Sequence, residues 1–183
     1  IGMIFPPAGE GLTILDANGA MKDEVKDILD QVAAADLMLA TEHLNVHESH
    51  ILLGDAKARG ITKSVVHTAN YHVMQYPNED LRQMVADNGA VLEMGFSSLP
   101  NGIWDPLDPE RIMGVAEVAE KSRLVGPVNV VLTSDTGQFT TAMPIEALRL
   151  WIAHMRTFGF TQDEIDHMTK HVPARLVGLE PET

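Results

Sequence analysis

The chain contains no cysteine. Disulfides, thiolate metal sites and cysteine nucleophiles are thereby excluded, and the composition fits a reducing compartment, so a cytoplasmic location is expected. Positive charge is scarce: 13 Lys and Arg stand against 26 Asp and Glu, a formal net charge of −13. Such a chain repels nucleic-acid phosphates, and no Lys/Arg cluster interrupts that field, which argues against a nucleic-acid partner. No apolar run approaches the roughly 20 residues of a membrane-spanning helix. The start, IGMIFPPAGEG, has neither the basic region nor the long apolar segment of a signal peptide, so no membrane association is expected. It begins with Ile1 rather than Met, which leaves room for residues upstream. No Gly-x-Gly-x-x-Gly or Walker-type loop is present, which weighs against a nucleotide-binding sheet.

What remains is ample for a core. Hydrophobic residues make up 45% of 183 residues, a length that suits one domain of ordinary size or part of a larger one. The two Trp and two Tyr are outnumbered by eight His. Any chemistry here rests on His, Asp and Glu.

Strand and helix signals alternate. TILDANGAMK (13–22) reads as two short strands about a Gly-containing turn. KDEVKDILDQVAAAD carries Val25, Ile28, Leu29 and Val32 at helical spacing. LMLAT (37–41) has the length of a buried strand, and VHESHILLGDAKARG is a helix stopped at Gly60. Then follow strand ITKSVVHT, helix NEDLRQMVADNG, strand AVLEMGF, helix PERIMGVAEVAEKSR with Pro109 near its first turn, strand VNVVLTS and helix PIEALRLWIAHMRTFG, with Leu148, Ile152 and Met155 on one stripe. A final helix, TQDEIDHMTKHV, opens on Thr161 with Glu164 three residues on, a capping box. This order predicts an α/β fold with a parallel sheet of βαβ units. The apolar strands suit a sheet covered on both faces. An open doubly wound sheet and a (β/α)8 barrel both fit, although a whole barrel takes about 200–250 residues or more.

The polar groups fall at strand ends. LMLAT runs into Glu42 and His43, ITKSVV into His67, and NVVLTS into Asp135, while Glu93 lies inside AVLEMGF. In both architectures the C-terminal edge of the strands is where sites form. Two imidazoles and a carboxylate make a usual ligand set for zinc, manganese or iron. Each residue also has a plainer role: a strand-end His as a satisfied polar group, Asp135 as a cap, Glu93 as the partner of a Lys or Arg. His47 and His50 fall in the first turns of a helix, His154 and His167 on helix surfaces, His171 near a helix C-terminus, and His72 in a loop. Three metal-type ligands sharing one edge is what singles out His43, His67 and Asp135.

The pieces LATEHLNVHE, SVVHTANY, AVLEMGF and LTSDTGQ, followed by PIEALRLWIAHMRTFGFTQDEIDHMTKHVPARLVGL, resemble the C-terminal half of metal-dependent hydrolases of the amidohydrolase superfamily, in a little-characterised branch. The resemblance runs over roughly residues 12–180. It implies a (β/α)8 barrel of TIM type of which strands 4/5 to 8 are present here. The arrangement is then one partial-barrel domain over 1–183: a strand end and β-turn segment at 1–20, βα units at 21–160 and a closing C-terminal helix at 161–183. By order, the metal-binding roles of the fifth, sixth and eighth strands fall on His43, His67 and Asp135, with Asp135 also the acid/base that takes a proton from metal-bound water. Zinc is the first expectation for the metal, with manganese or iron as alternatives.

The chain departs from the superfamily pattern in three places. No His-x-His pair precedes residue 43, Glu42 stands where a small residue is usual, and Val172 replaces an Asn in the closing turn. The implied activity is hydrolysis of a small-molecule amide, lactone or similar bond, with Arg111, Lys121 and Arg123 as cations able to orient a substrate carboxylate. A metal-dependent decarboxylase shares the ligand set, and a non-catalytic barrel remnant or fragment suits the absent His-x-His. An open half barrel exposes two strand edges, so a homo-oligomer or association with a missing N-terminal half is expected.

Overall fold

Four short parallel strands, each followed by a helix, carry the architecture. The computed structural model describes residues 12–71, 76–98, 114–137 and 141–179. In chain order the elements are α1 (Asp23–Ala34), β1 (Leu39–Ala40), α2 (Val46–Ala58), β2 (Ser64–Val66), α3 (Asn78–Asn88), β3 (Val91–Gly95), α4 (Val115–Val125), β4 (Val130–Thr133) and α5 (Pro144–Thr157). A closing segment follows: α6 (Gln162–Asp166), a π-helical turn (His167–His171) and α7 (Val172–Leu176). The strands lie in the order β1-β2-β3-β4, all parallel. A doubly wound sheet reverses its order at a switch point. This sheet advances in one direction, as the wall of a barrel does.

The two faces of the sheet bury different residues because side chains alternate along a strand. On the helix-covered face, Val66, Leu92, Met94, Val130 and Leu132 belong to one core with Leu53, Leu81, Met84, Val118, Trp151 and Met155. On the other face, Ala40, Val65, Val91 and Val131 form an apolar layer closed by Val172 and Leu176 of α7. Arg175 donates to the carbonyl of Val128, just before β4, at 3.1 Å, so α7 lies at the N-terminal end of the strands. The opposite end is left to the polar groups.

Most expected elements are present, with differences that have local causes. The 13–22 segment forms only an isolated antiparallel bridge, Leu15 with Met21. β1 is two residues long because left-handed backbone at Asp36 and Glu42 (φ 52° and 46°) bounds it. Gly89 caps α3 in the left-handed conformation, φ 67°. Thr161 and Glu164 complete their capping box, but the final helix is not continuous. It widens into the π turn just before Pro173, which has no N–H to give the Thr169 carbonyl. On α5 the buried face is Ala147, Trp151 and Met155, so of the expected stripe Met155 is buried and Leu148 is not. Leu148 and Ile152 instead line a cavity of about 530 Å³ beside β4, with Val131, Leu132 and Pro173. Ile28 of α1 is exposed, whereas Leu29 is buried. Residues 2–7 and the Pro109 turn lie outside the described residues, and no helix among those described is long and apolar enough to cross a membrane.

Candidate metal centre

The two-residue period that buries Val65, Val91 and Val131 brings His67, Glu93 and Thr133 to the same face one step nearer the strands' C-terminal ends. Their contacts match that placement. His67 Nδ1 lies 2.5 Å from Glu93 Oε2, and Thr133 Oγ1 donates to Glu93 Oε1 at 2.8 Å. The backbone is tied across the same edge. The His67 N–H donates to Thr41 Oγ1 at 3.2 Å, and the Ala69 N–H to the Glu93 carbonyl at 2.7 Å.

At three of the four strand ends the chain leaves through a left-handed, non-glycine residue: Glu42 (φ 46°), Thr68 (φ 41°) and Asp135 (φ 44°). A β-branched residue such as Thr68 is an outlier there, and such strain gathers at functional sites. The bends turn side chains over the mouth of the sheet. Glu42 Oε2 comes within 3.6 Å of His67 Nε2. The rings of His43 and His67 meet edge to face, centroids 6.1 Å apart, and His43 also lies 6.2 Å from the Tyr71 ring. Asp135 is exposed, and its Oδ2 accepts a hydrogen bond from the buried Ser97 hydroxyl. Gly95 makes room for it: a Cβ there would sit 3.1 Å from Asp135 Cβ and 3.3 Å from Oδ2.

The electrostatics follow from these neighbours. The hydrogen bond to Glu93 pushes the His67 imidazole above its ordinary value, burial opposing it and the charges of Glu93, Glu42 and Asp135 adding to it. Burial pushes the Glu93 carboxyl up, but the His67 hydrogen bond and charge, together with Thr133 and the Thr68 amide, outweigh it and leave the carboxyl below its ordinary value.

The structure brings together more than was expected of the sequence. Glu93 partners His67 rather than a Lys or Arg, and Glu42 also approaches His67. Ser97 was not foreseen; nothing local marks it, since its partner lies 38 residues away. Two of the three candidate cations lie elsewhere. Lys121 is buried with Nζ on the Tyr76 carbonyl at 3.2 Å, and Arg123 lies over the Phe160 ring at 4.0 Å. Arg111 and His72 lie outside the described residues. His50 links α2 to Asp80 of α3 at 2.8 Å.

As donors, His43, His67 and Asp135 suit zinc, manganese or iron, with Glu42 and Glu93 close by. In position the set is incomplete. Among the described residues, no three His, Asp or Glu side chains are gathered so as to hold one ion.

The fold and the polar edge define an α/β protein with a four-stranded parallel sheet, consistent with part of a barrel. The profile of a family of unknown function (DUF6282) matches residues 5–93, a span that includes His43, His67 and Glu93 and stops short of Asp135. No curated protein matches the chain. The crystal structure of a metallo peptidase from Rhodobacter sphaeroides, liganded with a phosphinate mimic of the dipeptide L-Ala-D-Ala, superposes with a TM-score of 0.64 at 14% identity. The match covers 87% of this chain and 47% of that one, so this chain spans about half the length of that enzyme. At such identity the likeness is one of fold.

Proposed function

We propose that the chain is the C-terminal half of a metal-dependent hydrolase on a (β/α)8 barrel of TIM type, acting on an amide, lactone or similar bond of a small molecule. The observation that carries this reading is the polar layer at one end of the sheet. There His67, Glu93 and Asp135 stand on or after three neighbouring strands, with His43 beside them. The fold likeness to a metallo peptidase supports it. In this reading His43, His67 and Asp135 are the ligands. A bound divalent cation, zinc in the first place, supplies an acidified water with a pKa near 7. His67 presents Nε2, since Glu93 occupies Nδ1. Asp135 would both bind the ion and receive and return a proton through its carboxylate, which the Ser97 hydroxyl holds at Oδ2. The barrel is closed along the outer edges of β1 and β4 by the strands of an N-terminal half.

A non-catalytic barrel remnant is the second reading, favoured by the absence of a gathered three-residue set among the described residues. Metal content by inductively coupled plasma mass spectrometry separates the two. The samples are protein purified without added metal and then reconstituted, alongside Asp135→Ala and His67→Ala. Stoichiometric zinc, manganese or iron that is lost in both variants is the expected result. A metal-free wild type after reconstitution transfers the argument to the remnant.

A further inference from the structure

β3 supplies no ligand in the proposed set, yet the groups that hold two of the ligands both come from β3 and the turn that follows it. We propose that Glu93 and Ser97 are the positioning residues of the site: Glu93 sets the orientation and tautomer of the His67 ring, and Ser97 sets the carboxylate of Asp135. The purpose of this arrangement rests on the hydrolase reading; its geometry does not.

Glu93 is itself held at both ends. Its Oε1 accepts from Thr133 Oγ1 at 2.8 Å, and its backbone carbonyl accepts from Ala69 N–H at 2.7 Å, so Oε2 has little freedom to leave His67 Nδ1 at 2.5 Å. An ionised carboxylate only accepts. The proton between the two groups therefore sits on Nδ1, and the lone pair of the neutral ring is on Nε2, the nitrogen turned towards Glu42 at the mouth. A carboxylate behind a ligand imidazole also raises its basicity.

Ser97 works in the same manner on the next strand. It is buried, and its N–H donates to the Ser134 carbonyl at 3.2 Å, tying the turn after β3 to the loop that carries Asp135. Its hydroxyl donates to Asp135 Oδ2. Gly95, between the two positioning residues, leaves the space into which Asp135 settles. Two of the three ligand-bearing strand ends, those of β2 and β4, thus flank one orienting strand, β3.

The test begins on metal-free protein, where the hydrolase reading plays no part. At a pH at which the ring is neutral, long-range 1H–15N spectra are expected to show His67 as the Nδ1–H tautomer in the wild type and shifted towards Nε2–H in Glu93→Ala. The Asp135 carboxyl 13C resonance is expected to move in Ser97→Ala and to return in Ser97→Thr. An Nε2–H tautomer in the wild type, a tautomer unchanged in folded Glu93→Ala, or an Asp135 resonance unmoved in Ser97→Ala overturns the corresponding half of the proposal. Zinc titration then reads the consequence. Glu93→Gln and Ser97→Ala are each expected to weaken zinc binding about 10–100-fold, the range for loss of a ligand's hydrogen-bond partner. Zinc affinity unchanged in folded Glu93→Gln overturns the positioning role even if Glu93→Ala proves unfolded. A wild type that binds no zinc while showing the Nδ1–H tautomer refutes the hydrolase reading and leaves the positioning geometry standing.

Discussion

Replacing Gly95 by alanine places a methyl carbon where the side chain of Asp135 now lies. The new Cβ would meet Asp135 Cβ at 3.1 Å, Oδ2 at 3.3 Å and Thr68 Cγ2 at 3.5 Å. Two of these are tighter than ordinary van der Waals contact, so the neighbours must move by a few tenths of an ångström. Overpacking a well-filled core costs typically about 1–3 kcal/mol. Here the group that must give way is the exposed side chain of a loop, which puts the cost near the lower end. Gly95 does not adopt a positive φ, so alanine also removes unfolded-state freedom, worth roughly 0.4–1 kcal/mol in favour of the variant. The two effects nearly cancel. The expected change in unfolding free energy is within about 1 kcal/mol, and for a chain of this size the shift in Tm is within roughly 4 °C. The carboxylate is a different matter, because displacing Asp135 breaks its registration with Ser97. Metal affinity is expected to fall about 10–100-fold, as for loss of an orienting partner. Calorimetry beside zinc titration of the same preparations measures both. Unchanged affinity would refute the reasoning that Gly95 seats Asp135 as a ligand. A loss of stability of several kcal/mol would show that the notch serves the sheet rather than the site.

Two further outcomes test the framework that carries the site. Burial holds the Lys121 amine below its ordinary value of 10.5, with Glu117 and Glu120 opposing the shift. The folded state therefore binds this proton less tightly than the unfolded chain, and this group's contribution to stability rises with pH between the lowered value and 10.5. Lys121→Met removes that slope, so urea unfolding should show its stability advantage over the wild type shrinking as pH climbs towards 10.5, and a pH-independent difference would contradict the burial argument. Thr161→Ala breaks the capping box with Glu164 and is expected to lower stability by about 1 kcal/mol in thermal or urea unfolding, with zinc binding unchanged. A loss of zinc binding there would mean that the closing segment reaches the site.

Much of the fold was legible in the sequence because the signals are local. Alternation of apolar runs with 3.6-residue periodicity located the four strands and the helices between them. The stops at Gly60 and Gly89 and the Thr161 capping box appeared where expected. Local signals failed where another part of the chain decides. Periodicity grouped Ile28 with Leu29, but packing against α2 leaves the first exposed. Of the stripe Leu148, Ile152 and Met155 on α5, Met155 is buried and Ile152 packs partly against the core, but Leu148 gives way to Trp151, which packs on Phe96 and donates to the Thr133 carbonyl at 3.0 Å.

For the site, the sequence by itself determined the chemistry on offer: no thiolate, and His and carboxylate groups at the ends of consecutive strands, facing the mouth of a parallel sheet. Tertiary structure alone decided which of them meet. The pairing of Glu93 with His67 spans 26 residues and that of Ser97 with Asp135 spans 38. Both depend on strand register, since a shift of one residue would turn Glu93 to the helix-covered face. The physical reason is range. Propensity and periodicity act within a few residues, whereas a site is made by strands that lie side by side only once the helices between them have packed.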